Sequence, residues 1–286
     1  MKPCLFGYNK PSNIEDALAI LDTHPNSVVL AGGQSLVAML NMRLVAPSHV
    51  VDINGLASLK EIAVDDGWLR VGALVRHCDI LKSQTVSESA PLISQAVHHI
   101  GHPAIRNRGT IGGSLAHNDP AADLPAAILA LDGRITASST GEHRTIDVVD
   151  FFQDLFTTAL RESEILSEVF VPTQPRSSGS AYVKFANKAS HYAIVGVASA
   201  VTLANGKCTS AAIGITGAGP TPYRASHVES QLIDSSLDEN TISAASENAG
   251  KGVDMNDDIQ ASGEYRAHLV KVLTIRSLNL AIERAG

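Results

Sequence analysis

The stretch Arg106-Asn107-Arg108-Gly109-Thr110-Ile111-Gly112-Gly113-Ser114-Leu115-Ala116-His117-Asn118-Asp119-Pro120-Ala121-Ala122-Asp123 decides how the rest of the chain is read. Five Gly, Thr or Ser residues fall within the six positions from Gly109 to Ser114. That composition suits backbone packed closely around a bound phosphate, because glycine keeps no Cβ between the main chain and a ligand. Asp119 and Asp123, at i and i+4, share a face if a helix runs through Pro120, and a carboxylate there would accept hydrogen bonds from hydroxyl or amino groups. The same residues also read as a glycine-rich loop capped by Asp119, with Pro120 at the first helical position.

A second bend of this kind lies upstream, in Ala31-Gly32-Gly33-Gln34-Ser35-Leu36. The apolar run 27–31 predicts a short buried strand stopped by the paired glycines, and Leu36, Met39 and Leu40 predict a helix after them. With a strand at 49–53, the first fifty-odd residues form a small β-α-β unit. Free N–H groups at such a helix start favour an anion such as a pyrophosphate, and Gln34 and Ser35 offer further hydrogen bonds. Alone, the bend reads first as a tight strand-to-helix turn. Two bends together can hold a diphosphate bridge from opposite sides. The dinucleotide fingerprint G-x-G-x-x-G is absent, as is the lysine of a phosphate-binding P-loop.

Working outward, Ser12-Asn13-Ile14-Glu15 is a capping box opening a helix that buries Ala17, Leu18 and Leu21. Residues 59–64 and 68–73 predict a hairpin around Asp65-Asp66-Gly67. A helix-rich stretch follows from Arg76 to Leu131, then strands at 134–137, 143–146 and 164–171. Residues 173–180, rich in Pro, Ser and Gly, predict a linker. Beyond it come strands at 181–187, 195–203 and 208–215, and then helices, the last over 262–283. Strands followed by helices indicate an α+β domain.

The 286 residues accommodate two or three domains of about 100–150 residues each. Net charge −7 argues against nucleic acid as a partner. No apolar run approaches the ~20 residues that span a bilayer, and the N-terminus lacks a signal-peptide pattern. Cys4, Cys78 and Cys208 are far apart and odd in number, which predicts reduced cytoplasmic thiols and excludes a four-thiolate iron–sulfur cluster within the chain.

The two glycine motifs at this spacing resemble the medium, FAD-binding subunit of the xanthine dehydrogenase (molybdenum hydroxylase) family. That group includes the flavoprotein subunits of carbon monoxide dehydrogenase, quinoline oxidoreductase and nicotine dehydrogenase. The likeness covers nearly the whole chain, from Met1-Lys2-Pro3 to Gly217-Ala218-Gly219-Pro220-Thr221-Pro222 with Arg224. It implies an α+β fold in which a vanillyl-alcohol-oxidase-type FAD-binding domain of two subdomains, 1–57 and 58–175, precedes a C-terminal domain, 176–286, of the CO dehydrogenase flavoprotein type.

The resemblance further implies that Ala31, Gly32, Gly33, Gln34, Ser35 and Leu36 wrap the FAD pyrophosphate. Thr110, Gly112, Gly113 and Ser114 would hold the flavin side of the diphosphate and the ribityl chain, and Asp123 would be an FAD-contacting aspartate. Ile100, Gly101, Leu166, Lys184 and Tyr192 would line the cofactor, Tyr192 against the isoalloxazine. Ala189 and His191 depart from the pattern, standing where relatives often carry a basic residue and an aspartate. This chain would supply only the FAD stage of electron transfer, with no catalytic residue for the substrate. Iron–sulfur (2Fe–2S) clusters and molybdopterin would lie on a small and a large partner subunit, arranged as a dimer of heterotrimers. The likeness is strongest to enzymes acting on N-heteroaromatic compounds, through Gln34 and Leu40-Asn41-Met42-Arg43.

Rival readings are a stand-alone flavin oxidoreductase with its own substrate pocket and a flavin-free scaffold whose bends are only turns. His98, His99, His102 and His117 invite a metal reading, with His98 and His102 four apart on a helix, yet no carboxylate sits between them as in H-E-x-x-H. No nucleophile elbow is present, Cys78 reads as a structural cysteine on a short helix, and Met39 and Met42 read as core.

Overall fold

In the computed structural model, which describes residues 2–188 and 192–286, three principal sheets carry helices packed against them. The first is parallel, with strands β1 (Gly7–Asn9), β2 (Ser27–Leu30) and β3 (His49–Asp52) in the order β1-β3-β2, joined through α1 (Ile14–Thr23) and α2 (Leu36–Met42). Sequence patterning missed β1, whose three residues are too few to show alternation. Asn13 caps α1, its Oδ1 accepting the Asp16 N–H at 2.7 Å, so the predicted box is one residue out of place. Ala17, Leu18 and Leu21 are buried against β3 and against Leu59, Leu74 and Ile165 from farther along the chain.

The second sheet is antiparallel, in the order β4-β5-β10-β6-β7. Its hairpin is β4 (Ile62–Asp65) and β5 (Trp68–Gly72), because a 3-10 turn at Ala57–Lys60 takes up residues 59–60 of the predicted strand. Six helices follow: α3 (His77–Lys82), α4 (Gln84–Ser89), α5 (Pro91–His98), α6 (Pro103–Arg106), α7 (Ile111–His117) and α8 (Asp123–Ala130). All eight residues of α8 are buried, which explains why it is apolar on every face. Strands β6 (Arg134–Ser139) and β7 (Glu142–Asp147) come next. A small pair, β8 (Phe152–Asp154) and β9 (Thr157–Thr158), was not foreseen, and then β10 (Ile165–Pro172) completes the sheet. A bulge between Leu166 and Glu168 in β10 lies where Ile165 and Leu166 border the cleft described below.

The third sheet, also antiparallel, has β11 (Ser178–Phe185), β12 (Val195–Ala204), β13 (Lys207–Thr216) and β14 (Tyr223–Arg224) in chain order. The predicted linker therefore shortens to 173–177, since Ser178 already pairs with Thr202. Helices α9 (Ser226–Leu232) and α10 (Glu239–Ser246) precede α11 (Gly263–Ala285), which packs across β11 and β12 and is capped by the Ser262 side chain. The architecture is mixed α and β, as the sequence indicates. The third sheet also grips the segment leading into α8. Thr216 Oγ1 lies 2.8 Å from both Pro120 O and Ala122 O, Gly217 N–H donates to Pro120 O at 2.7 Å, and Arg224 donates to Leu129 O at 3.0 Å. That grip fixes the start of α8 and, with it, Asp123.

Candidate cofactor site

Both glycine bends border one cleft of about 560 Å³, within the range of small-molecule and cofactor sites, ~300–1,000 Å³. Ala31, Gly32, Gly33, Gln34, Ser35 and Leu36 form one wall, and Thr110, Gly112, Gly113 and Ser114 another. Ile100, Gly101, Asp123, Leu166 and Tyr192 line it too. Lys184 does not; it borders a neighbouring cavity and reaches the cleft only through Asp123. Tyr192 leaves 60% of its surface exposed. Ala189 and His191 lie outside the described residues.

The bends touch. A Cβ placed on Gly32 would sit 2.9 Å from Gly109 Cα and closer still to Arg108 O, so only glycine allows this approach. Gly33 has φ +73°, a left-handed conformation that turns the chain out of β2. A clasp holds the two bends together: Asn54 Nδ2 donates to Ala31 O at 2.7 Å, while the Arg76 guanidinium donates to Asn54 Oδ1 and to Arg108 O. Asp52 orients Asn54 at 2.6 Å and itself accepts from Tyr8 at 2.7 Å. Asn54 and Arg76 carry no signal of this role in the sequence, where no pattern links positions 54, 76 and 108.

The bends differ in what they offer a ligand. In the second, Ile111 N–H donates to Val75 O, Gly112 N–H to Ala73 O, Gly113 N–H to Thr110 Oγ1 and Ser114 N–H to Thr110 O. Gly112 is needed because a Cβ there would lie 2.8 Å from the Ala73 backbone. In the first bend, the N–H groups of Gly32, Gly33, Gln34, Ser35 and Leu36 donate to no described group. A row of donors without a described acceptor at a cleft wall suits an anion. Helices α2 and α7 have only seven residues each, so the row of N–H groups, not a helix dipole, carries this inference.

Asp123 does not share a helix face with Asp119. Residues 119–122 form a turn in which Asp119 Oδ1 accepts the Ala121 N–H at 2.9 Å, and α8 starts only at Asp123. The Asp123 carboxylate accepts Tyr182 Oη at 2.6 Å and Lys184 Nζ at 2.9 Å, and Lys184 also donates to His99 O at 3.2 Å. Burial raises the Asp123 pKa, and the Lys184 ammonium pulls against it. Glu164, unforeseen as a lining residue, is held below the usual carboxylate range by Arg144 at 2.7 Å. His77, also at the cleft, is kept neutral by burial, which lowers its pKa to about 4 despite the nearby Thr110 carbonyl.

Gly101, at φ +47°, separates α5 from α6, so His98 ends one helix and His102 immediately precedes the next. The two do not share a face. His117 instead packs on Phe156 beside the cleft. Among the described residues no group of three or more His, Cys, Asp or Glu is arranged to hold a metal. Cys78 lies on the short α3, as expected, while Met42 is exposed at the end of α2 and is not core. No helix among the described residues is long and apolar enough to cross a membrane.

Space, paired glycines and unpaired donors fit an elongated cofactor with a diphosphate. The model of the FAD binding domain in molybdopterin dehydrogenase matches residues 5–174, and that of the CO dehydrogenase flavoprotein C-terminal domain matches 180–281. The chain belongs to the family of FAD-binding medium subunits of molybdenum hydroxylases. It is 42% identical to the 6-hydroxypseudooxynicotine dehydrogenase complex subunit alpha of Paenarthrobacter nicotinovorans, covering 100% of this chain and 97% of that protein. Carbon monoxide dehydrogenase from Hydrogenophaga pseudoflava superposes with a TM-score of 0.98 at 30% identity over 100% of both chains. Quinoline 2-oxidoreductase from Pseudomonas putida 86 gives 0.94 at 32% identity, covering 100% of this chain and 99% of that one.

Proposed function

We propose that this chain holds FAD across the two glycine bends and serves as the electron-transfer subunit of a cytoplasmic molybdenum hydroxylase acting on an N-heteroaromatic compound. The five unpaired N–H groups from Gly32 to Leu36 carry this reading. They would take the diphosphate, while the second bend, its own N–H groups engaged, supplies a close wall and the Thr110 and Ser114 hydroxyls. Ile100, Leu166 and Tyr192 would enclose the ring system, and Asp123, paired with Lys184, would border it. Bound FAD supplies the redox chemistry, taking electrons from iron–sulfur clusters and releasing them to an external acceptor. The chain contributes position, charge balance and exclusion of water.

On this reading 1–57 and 58–175 are the FAD-binding subdomains and 176–286 the C-terminal domain. A small iron–sulfur and a large molybdopterin subunit would complete a dimer of heterotrimers. The names of the relatives support it: one is a subunit of a dehydrogenase complex, and another structure is a quinoline oxidoreductase. The test is purification from the native host with cofactor analysis and mass identification of co-purifying chains. FAD on this chain, with iron–sulfur and molybdopterin chains beside it, is the expected result. A yellow protein that oxidises substrate alone would overturn it.

A further inference from the structure

Beside the cleft lies a second cavity of about 450 Å³, and Gly101 borders both. Its wall carries Arg106, Lys184 and Lys188 with His98, His99 and His102, and among the described residues no Asp or Glu lines it. This stands out in a chain with 29 acidic and 22 basic residues. The fold builds the arrangement. The break at Gly101 brings the end of α5 and the start of α6 to one opening, and the segment leaving β11 brings Lys188 across from them. Arg106 is fixed by its own chain, donating through one nitrogen to Ile100 O at 2.9 Å and Gly101 O at 2.7 Å, and its other nitrogens donate to no described group. Lys184 already has Asp123, so Arg106 and Lys188 give the cavity its positive character.

We propose that this cavity docks the anionic group, a phosphate, carboxylate or sulfonate, of the small-molecule acceptor that takes electrons from this subunit. The inference rests on the reading that FAD occupies the adjoining cleft. Oppositely charged walls raise the local concentration of a charged ligand and favour its docking. In the reaction served, two-electron-reduced FAD is reoxidised, and the electrons pass to one two-electron acceptor or to two one-electron acceptors. The protons released go to the acceptor or to solvent.

The test uses the holoenzyme reduced by its substrate, with flavin reoxidation followed by its absorbance. Ferricyanide serves as the anionic acceptor and a ferrocenium salt as the cationic one, at constant ionic strength. Lys188→Glu, alone and with His102→Glu, should raise the ferricyanide concentration for half-maximal reoxidation by about tenfold. The ferrocenium value should stay unchanged or fall. In the unaltered enzyme, inorganic pyrophosphate should compete with ferricyanide and not with ferrocenium, a measurement that holds even if the variants fail to fold. Equal changes for both acceptors, no change for either, or no competition by pyrophosphate would overturn the inference. A holoenzyme carrying no FAD on this chain would instead overturn the reading beneath it.

Discussion

Replacing Gly32 by Ala tests the apposition of the two bends directly. The added methyl would lie 2.9 Å from Gly109 Cα and 3.0 Å from the Arg108 carbonyl carbon. Both are backbone atoms, so no side chain can swing aside, and one bend must move. Forcing a methyl into a packed contact costs about 1–3 kcal/mol. If the displacement falls on the row of N–H donors, FAD affinity drops by about 5- to 150-fold. Gly55→Ala is the matched control. It follows Asn54 of the clasp, yet its methyl would meet nothing closer than 3.9 Å, and it should change stability by less than about 0.5 kcal/mol. The assay is titration of flavin-stripped full chain with FAD by fluorescence, alongside urea unfolding of the flavin-free chain. Wild-type affinity in Gly32→Ala, or an equal loss in Gly55→Ala, would refute the reasoning.

Three further outcomes follow from the same geometry. Asn54→Ala and Arg76→Met should each weaken FAD binding, and the double variant should lose less than the sum, because both cut one clasp; strictly additive losses in the titration would show that the clasp is not a unit. His77 stays neutral until about pH 4, whereas the unfolded chain takes up that proton near 6.5. The stability it confers is therefore complete above pH 6.5 and lost as pH falls through 4, about 3 kcal/mol at ~1.4 kcal/mol per pH unit. Urea midpoints against pH should show this fall in the wild type and not in His77→Leu, and parallel curves would contradict it. Asp123→Ala leaves the Lys184 ammonium buried against only the His99 carbonyl, which should destabilise the chain by about 3–5 kcal/mol in the same unfolding experiment. The further change Lys184→Met should recover part of that loss, and no recovery would place the damage elsewhere.

Residues close together in the chain gave most of what could be read without coordinates. Gly32-Gly33 and Gly112-Gly113 are visible because glycine marks the two physical needs at issue, a positive φ at Gly33 and a close backbone contact at Gly112. The helix of Ala17, Leu18 and Leu21 and the three long strands of the third sheet, β11 to β13, are legible in the sequence, while the two-residue β14 is not. What escaped was short or distant. Strand β1 has three residues, and the β8–β9 pair is held by Asn118 Nδ2 donating to Asp154 O and Thr157 O, a contact no pattern announces. The Asp119–Asp123 helix face failed because the grip of Thr216 and Gly217 on Pro120 stops a helix from forming there, so tertiary contact overrode spacing. Glu164 reached the cleft through Arg144, twenty residues away in sequence.

The likeness of the two bends in sequence conceals a division of labour. Both carry paired glycines with a serine within the next two positions, which suggests two equivalent grips on one diphosphate. The hydrogen bonds of the second bend turn inward to Val75, Ala73 and Thr110, so Gly112 serves packing against Ala73 and Gly113 packing against Thr110. Only the first bend keeps a row of donors without acceptors, and such groups are costly unless water or a ligand satisfies them. On the proposed reading charge recognition would fall to residues 32–36, while the second bend, locked to the sheet and clasped by Arg76, would set how far the first can move.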